Sequence, residues 1–119
     1  MATYSKELLT GSTSGKNISV TGINTGASVV VHTATAGASN MDEIWVYACN
    51  TSAAAVVLTL EYGGVTDQDD LIELELAADS GMTLLIPGFL LNGGLIVNAF
   101  AATANVININ GYVNRITVS

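Results

Sequence analysis

The sequence predicts an all-β chain, a single-domain β-sandwich of jelly-roll-like kind with eight or nine short antiparallel strands, and three observations predict it. Apolar and polar residues alternate with a period of two in segment after segment, with no sustained 3.6-residue stripe. Gly, Asn, Ser and Thr clusters separate those segments. The stretch 80–114 holds no Asp, Glu, Lys, Arg or His, yet glycine, asparagine and Pro87 interrupt it too often for a membrane helix. A length of 119 residues suits one domain with one core.

In chain order, the first strand is expected over 3–9, followed by a Gly/Ser/Thr-rich run at 10–15 that reads as a hinge. Residues 1–10 are therefore read as an N-terminal arm and 11–119 as the sandwich domain. The second strand, 17–23, stops at Asn24-Thr25-Gly26, where positive φ is permitted, and the third covers 28–35. Strands at 43–50 and 55–62 follow, the latter closed by Gly63-Gly64. Segments 70–77, 82–86, 95–101 and 105–118 complete the set, with Asn92-Gly93-Gly94 suited to a tight hairpin. The alanine runs at 53–55 and 99–104 are too short for helices and are flanked by β-branched residues.

The two faces of each strand carry the functional information. Segment 70–77 sets Ile72, Leu74 and Leu76 against Glu73 and Glu75, an ordinary half-solvated strand. Segment 43–50 instead sets Ile44, Val46 and Ala48 against Trp45, Tyr47 and Cys49, and 95–101 sets Leu95, Val97 and Ala99 against Ile96 and Phe100. One core covers only one face of a sheet. The other apolar face asks for a neighbouring subunit or a partner protein, since wet apolar area forfeits roughly 25 cal/mol per Å².

Composition narrows the function classes. The chain is 50% hydrophobic and 11% charged, with a formal charge of −7. Its only cations besides histidine are Lys6, Lys16 and Arg115, too few to neutralise phosphates, so direct nucleic-acid binding is not expected. Cys49 stands alone, which excludes an internal disulfide and a multi-cysteine zinc site. Residues 1–11 hold Lys6 and Glu7 and no apolar core, so no secretory leader is read. The longest apolar run, 84–91, is cut by Pro87 and Gly88, so no membrane segment is expected.

Catalytic and metal-binding patterns are sparse. His32 is the sole imidazole; it shares a strand face with Val30 and Ala34 and has no acid adjacent in sequence, which suits a strand histidine with a local hydrogen bond. No Gly-x-Ser-x-Gly elbow and no phosphate-cradling Gly-x-x-x-x-Gly-Lys is present. Asp67, Asp69 and Asp70 cluster in a turn without the distal Glu of a calcium loop, and read as a solvated acidic turn. Asp42-Glu43 and Glu73/Glu75 could pose as a paired-carboxylate glycosidase site, but nothing in the sequence brings them together in space. Trp45 and Tyr47 suit either sugar stacking or the centre of a protein interface. No enzyme activity, cofactor or resident metal is expected.

The segments Asp42-Glu43-Ile44-Trp45-Val46-Tyr47-Ala48-Cys49-Asn50-Thr51-Ser52, Leu58-Thr59-Leu60-Glu61-Tyr62-Gly63-Gly64 and Asn110-Gly111-Tyr112-Val113-Asn114-Arg115-Ile116 resemble phrases of the small β-sandwich virion proteins of tailed bacteriophages, particularly capsid decoration or cement proteins. The resemblance implies a structural protein on the outer surface of an icosahedral head, commonly a homotrimer, that binds the major capsid protein and ties capsomers together. Acidic charge agrees with the outer face rather than the DNA-lined interior. Trp45, Tyr47 and Ile96 are the expected subunit interface, and Tyr4, Leu8 and Leu9 the part of the arm that docks on the shell. A tail- or fibre-associated virion component and a carbohydrate-binding module are the alternatives.

Overall fold

The computed structural model describes residues 2–118; Met1 of the expected arm and Ser119 of the expected domain lie outside them. Nine strands follow one another as β1 (Ala2–Leu8), β2 (Ile18–Ser19), β3 (Val29–Thr33), β4 (Met41–Asn50), β5 (Val56–Tyr62), β6 (Leu71–Leu76), β7 (Thr83–Leu91), β8 (Ile96–Ala101) and β9 (Ile107–Val118), with one 3-10 turn at Thr25–Ala27. Each strand overlaps a segment whose alternation predicts it.

The strands form two antiparallel sheets, β1-β9-β4-β7 with β2 also on β9, and β3-β8-β5-β6. β1 pairs with the second half of β9 and β2 with Ile109 and Asn108 in its first half, while β4 takes the opposite edge of β9. Counted as one interrupted strand, β1 and β2 leave eight strands that pass between the sheets in jelly-roll order.

The inner faces make one core. Ile44, Val46 and Ala48 of β4, Ile86 of β7 and Ile107, Ile109 and Val113 of β9 lie against Leu58 and Leu60 of β5 and Val97, Ala99 and Ala101 of β8, all buried. The choice left open by β4 is thereby resolved: Ile44, Val46 and Ala48 point inward, and Trp45, Tyr47 and Cys49 outward. In β8, Val97 and Ala99 are inside as expected, whereas Leu95 precedes the strand and is exposed. Leu76 of β6 joins the core while Glu73 and Glu75 face water.

The free N-terminal arm is corrected. All of Ala2 to Leu8 pairs with β9, from Ala2 opposite Val118 to Leu8 opposite Tyr112. At twelve residues, β9 is long enough to offer backbone partners to both β1 and β2, and an unpaired strand beside such an edge leaves its hydrogen bonds unused. Leu9 is 1% exposed and belongs to the core, so it is unavailable to dock on a shell. The expected hinge is pinned too: the Gly11 amide donates to the Val31 carbonyl at 3.0 Å, so close that no side chain fits at Gly11.

β7 runs past its expected end at residue 86, through Pro87 and Gly88, to Leu91. Proline is tolerated there because β7 is a sheet edge, and two register shifts against β4 absorb the irregularity.

Candidate functional site

The outer face of the β1-β9-β4-β7 sheet can be read row by row from its register. Tyr4, Ile116 and Met41 form one row; Lys6, Asn114, Glu43 and Leu90 the next; then Leu8, Tyr112, Trp45 and Pro87; then Asn110, Tyr47 and Leu84. Tyr4 is 73% exposed, Leu8 and Leu90 54% each, and Leu84 42%. Apart from Lys6 and Glu43 no charged side chain stands in these rows, so the face is close to neutral in a chain of charge −7. Six of the ten acids, Glu61, Asp67, Asp69, Asp70, Glu73 and Glu75, belong instead to β5, β6 and the turn between them.

The centre of the face is built rigidly. Trp45 and Tyr112, opposite each other on β4 and β9, stack with centroids 6.2 Å apart, and the Lys6 ammonium lies 4.9 Å from the Tyr112 centroid. Glu43 Oε1 accepts from Trp45 Nε1 at 2.9 Å and from Asn114 Nδ2 at 2.8 Å. These two bonds, from Trp45 first and Asn114 second, outweigh partial desolvation and hold the Glu43 carboxyl below its ordinary range. Gly88, at φ +85°, makes room for the indole, since a Cβ there would lie 2.9 Å from Trp45 Cζ2, and Gly111 lets the β4 backbone approach β9, since a Cβ there would collide with the Trp45 carbonyl.

Four of the six residues expected at contacts thus share one surface, Tyr4, Leu8, Trp45 and Tyr47, although the sequence assigns them to two different jobs. Ile96 is separate: it lies on the outer face of the other sheet, opposite Thr33, and is 39% exposed. Leu9 is inside. Leu84, Leu90, Met41 and Tyr112 belong to the face and escape the sequence reading, since their alignment comes from non-local register. A signal for Leu84 and Leu90 was the long uncharged stretch itself.

His32 sits elsewhere than its alternation implies. A bulge between Val30 and His32 shifts the register, leaving Val30 exposed while Val31 and His32 are both buried. Its Nδ1 accepts the Thr10 amide at 3.1 Å, which requires a lone pair there and sets the ring proton on Nε2, 2.7 Å from Asp42 Oδ2. Asp42, fully buried, also accepts Arg115 Nε at 2.8 Å, Arg115 Nη2 at 3.1 Å and the Thr35 amide at 3.1 Å. Burial would raise the Asp42 carboxyl, but Arg115, His32 and the Thr35 amide together bring it below 3.8. The cluster ties β3 to β4 and β9, and therefore one sheet to the other. Both ring nitrogens are engaged inside the protein, so His32 has none to offer a substrate.

The acidic turn is held by its own backbone. Asp70 Oδ2 accepts the Thr66 amide at 3.0 Å and the Asp70 amide donates to the Thr66 carbonyl at 3.1 Å. Among the described residues no group of three His, Cys, Asp or Glu side chains is placed to hold a metal ion. Comparison of the chain with protein-family models, with curated proteins and with solved structures finds no match in any of the three.

Proposed function

We propose that this chain is a virion structural protein, a capsid decoration or cement protein that assembles as a homotrimer and stabilises a phage head by bridging capsomers on its outer surface. One observation carries the reading: a near-neutral apolar sheet face, with Tyr4, Leu8, Leu84 and Leu90 exposed around the fixed Trp45–Tyr112 stack. Faces of this kind mark interaction sites, and rigid aromatics are favoured at their centres. Neutrality lets copies meet without the repulsion their overall charge would impose, and the acids on β5 and β6 then point away from the contact.

The mechanism is passive. Each protomer adds buried area across gaps between subunits of the major capsid protein, and three linked copies turn weak contacts into avid ones. No turnover, cofactor or nucleic-acid contact is needed. Ile96 and its neighbours on the opposite sheet remain outside the trimer contact and are free to meet the shell.

The test is co-sedimentation of purified protein with expanded heads of the phage that encodes it. Saturable binding that raises the heads' thermal or shear resistance supports the reading. Absence of binding to heads, with binding to tails or fibres, would transfer the protein to the tail; glycan binding lost in Trp45→Ala would make it a carbohydrate module.

A further inference from the structure

The sheet β3-β8-β5-β6 ends at β6, and among the described residues no strand lies beyond it. The direction of its backbone groups follows from the ladder with β5. The Tyr62 amide donates to the Asp70 carbonyl at 2.8 Å and Glu61 is opposite Leu71, so hydrogen-bonded pairs recur at Leu60 with Ile72, Leu58 with Leu74 and Val56 with Leu76. The amides and carbonyls of Leu71, Glu73 and Glu75 therefore point away from β5, along the open edge. Side chains divide with the same period. Ile72 and Leu74 face the core side yet are incompletely covered: Leu74 is 37% exposed, whereas Leu58 opposite it is 1%. Glu73 and Glu75 stand exposed on the other face.

The other sheet edges are blunted. β7 carries Pro87 and two register shifts, β1 carries Lys6, and β2 is two residues long. β3 is bulged at Val31, whose carbonyl accepts the Gly11 amide, and its Thr33 amide donates to Thr10 Oγ1. β6 has a regular register, no proline, glycine or lysine, and only its two glutamates as guards. Those glutamates guard selectively. In an antiparallel pairing of two β6 edges that keeps the apolar side chains on the core side, glutamates of the two copies fall opposite or diagonal to one another, and like charges oppose the contact. No Lys or Arg lies on any strand of this sheet to offset them.

We propose that β6 accepts an extended basic segment of another protein as an added strand, with Lys or Arg at alternate positions opposite Glu73 and Glu75 and an apolar residue between them over Ile72 and Leu74. Backbone bonds to Leu71, Glu73 and Glu75 supply the attachment, and the side chains on the two faces supply the selectivity. Opposite charges directly across a strand pair are favourable, so the same glutamates that repel a second β6 attract this partner. A second copy of this chain does not meet the requirement: its Lys and Arg are Lys6, Lys16 and Arg115, no two of them at alternate positions. The edge is on the other sheet from the Trp45–Tyr112 stack, and its occupation requires no virion.

The experiment is residue-resolved amide hydrogen exchange of the whole protein at low salt with an acetylated, amidated Lys-Val-Lys-Val-Lys peptide. Lys-Lys-Lys-Val-Val, of the same composition without the alternation, and Glu-Val-Glu-Val-Glu, of opposite charge, are the controls. The alternating basic peptide is expected to slow exchange at Leu71, Glu73 and Glu75 about 10-fold or more, with little change at Ile72 and Leu74, whose amides already bond to β5. Both controls are expected to protect those three amides severalfold less. In the double variant Glu73→Lys with Glu75→Lys, both at exposed positions, the preference is expected to invert toward the acidic peptide. No protection at the three edge amides, equal protection by the non-alternating peptide, or an unaltered preference in the charge-reversed chain overturns the proposal. The wild-type comparison of the three peptides decides the matter even where the variant does not fold.

Discussion

Trp45 and Tyr112 stack with their planes 13° from parallel at the middle of the outward face, and neither ring is free to swing away. Glu43 holds the indole nitrogen, Lys6 covers the phenol, and Gly88 leaves room for the indole. A surface organised in this way keeps its shape before a partner arrives, which lowers the ordering cost of association.

Gly88→Ala tests that arrangement. The residue sits at φ +85°, and its new methyl would press on the indole, so a loss of about 1–3 kcal/mol is expected. As Trp45 is the only tryptophan, a shifted emission spectrum in the folded variant, together with a lower urea midpoint, reports the displacement directly.

Asp42→Ala leaves Arg115 and the buried His32 without their common partner, and a loss of about 3–5 kcal/mol is expected in urea unfolding. The acid limb carries the same signature. Asp42 gives up its proton at lower pH in the folded chain than its ordinary 3.8, so the native state binds fewer protons there. Its contribution is complete above that value and declines as pH falls through the folded one. A urea midpoint that drops below pH 4 in the wild type and drops less in Asp42→Asn is the expected result.

Tyr62 gives the opposite limb. Burial pushes its hydroxyl up to about 12, from 10.0, and that oxygen has no hydrogen-bond partner. The folded chain therefore keeps this proton where the unfolded chain loses it, and stability falls as pH rises past 10. Tyr62→Phe removes both the alkaline slope and an unpaired buried hydroxyl, so its stability at neutral pH is expected to equal or exceed wild type by thermal unfolding.

Deletion of residues 1–9 is expected to unfold or aggregate the chain. It removes a seven-residue strand, bares the edge of β9 and takes Leu9 from the core. Circular dichroism of the truncated protein checks this; a folded truncation would restore the idea of a free arm.

The strands were legible in the sequence because alternation and turn chemistry are local. Ile44, Val46 and Ala48 against Trp45, Tyr47 and Cys49 marked β4 as apolar on both faces, though not which face was inside. What stayed hidden is non-local. Nothing near residues 2–8 says that β9 will hold them, and the glycines of 11–15 imitate a hinge although Gly11 is there for close approach to β3. The bulge at Val31 is one residue long, yet it turned His32 toward Asp42, whose other partner, Arg115, lies 73 residues further on. Pro87 marked a strand end by rule, but an edge strand with bulges accommodates it.

Light scattering on the purified protein at micromolar concentration tests the proposed assembly through the outward face most directly. A particle of three chain masses is expected for wild type, and a folded particle of one chain mass for the double variant Tyr4→Lys with Leu90→Lys, both substitutions being at exposed positions. A well-behaved wild-type monomer would contradict the account.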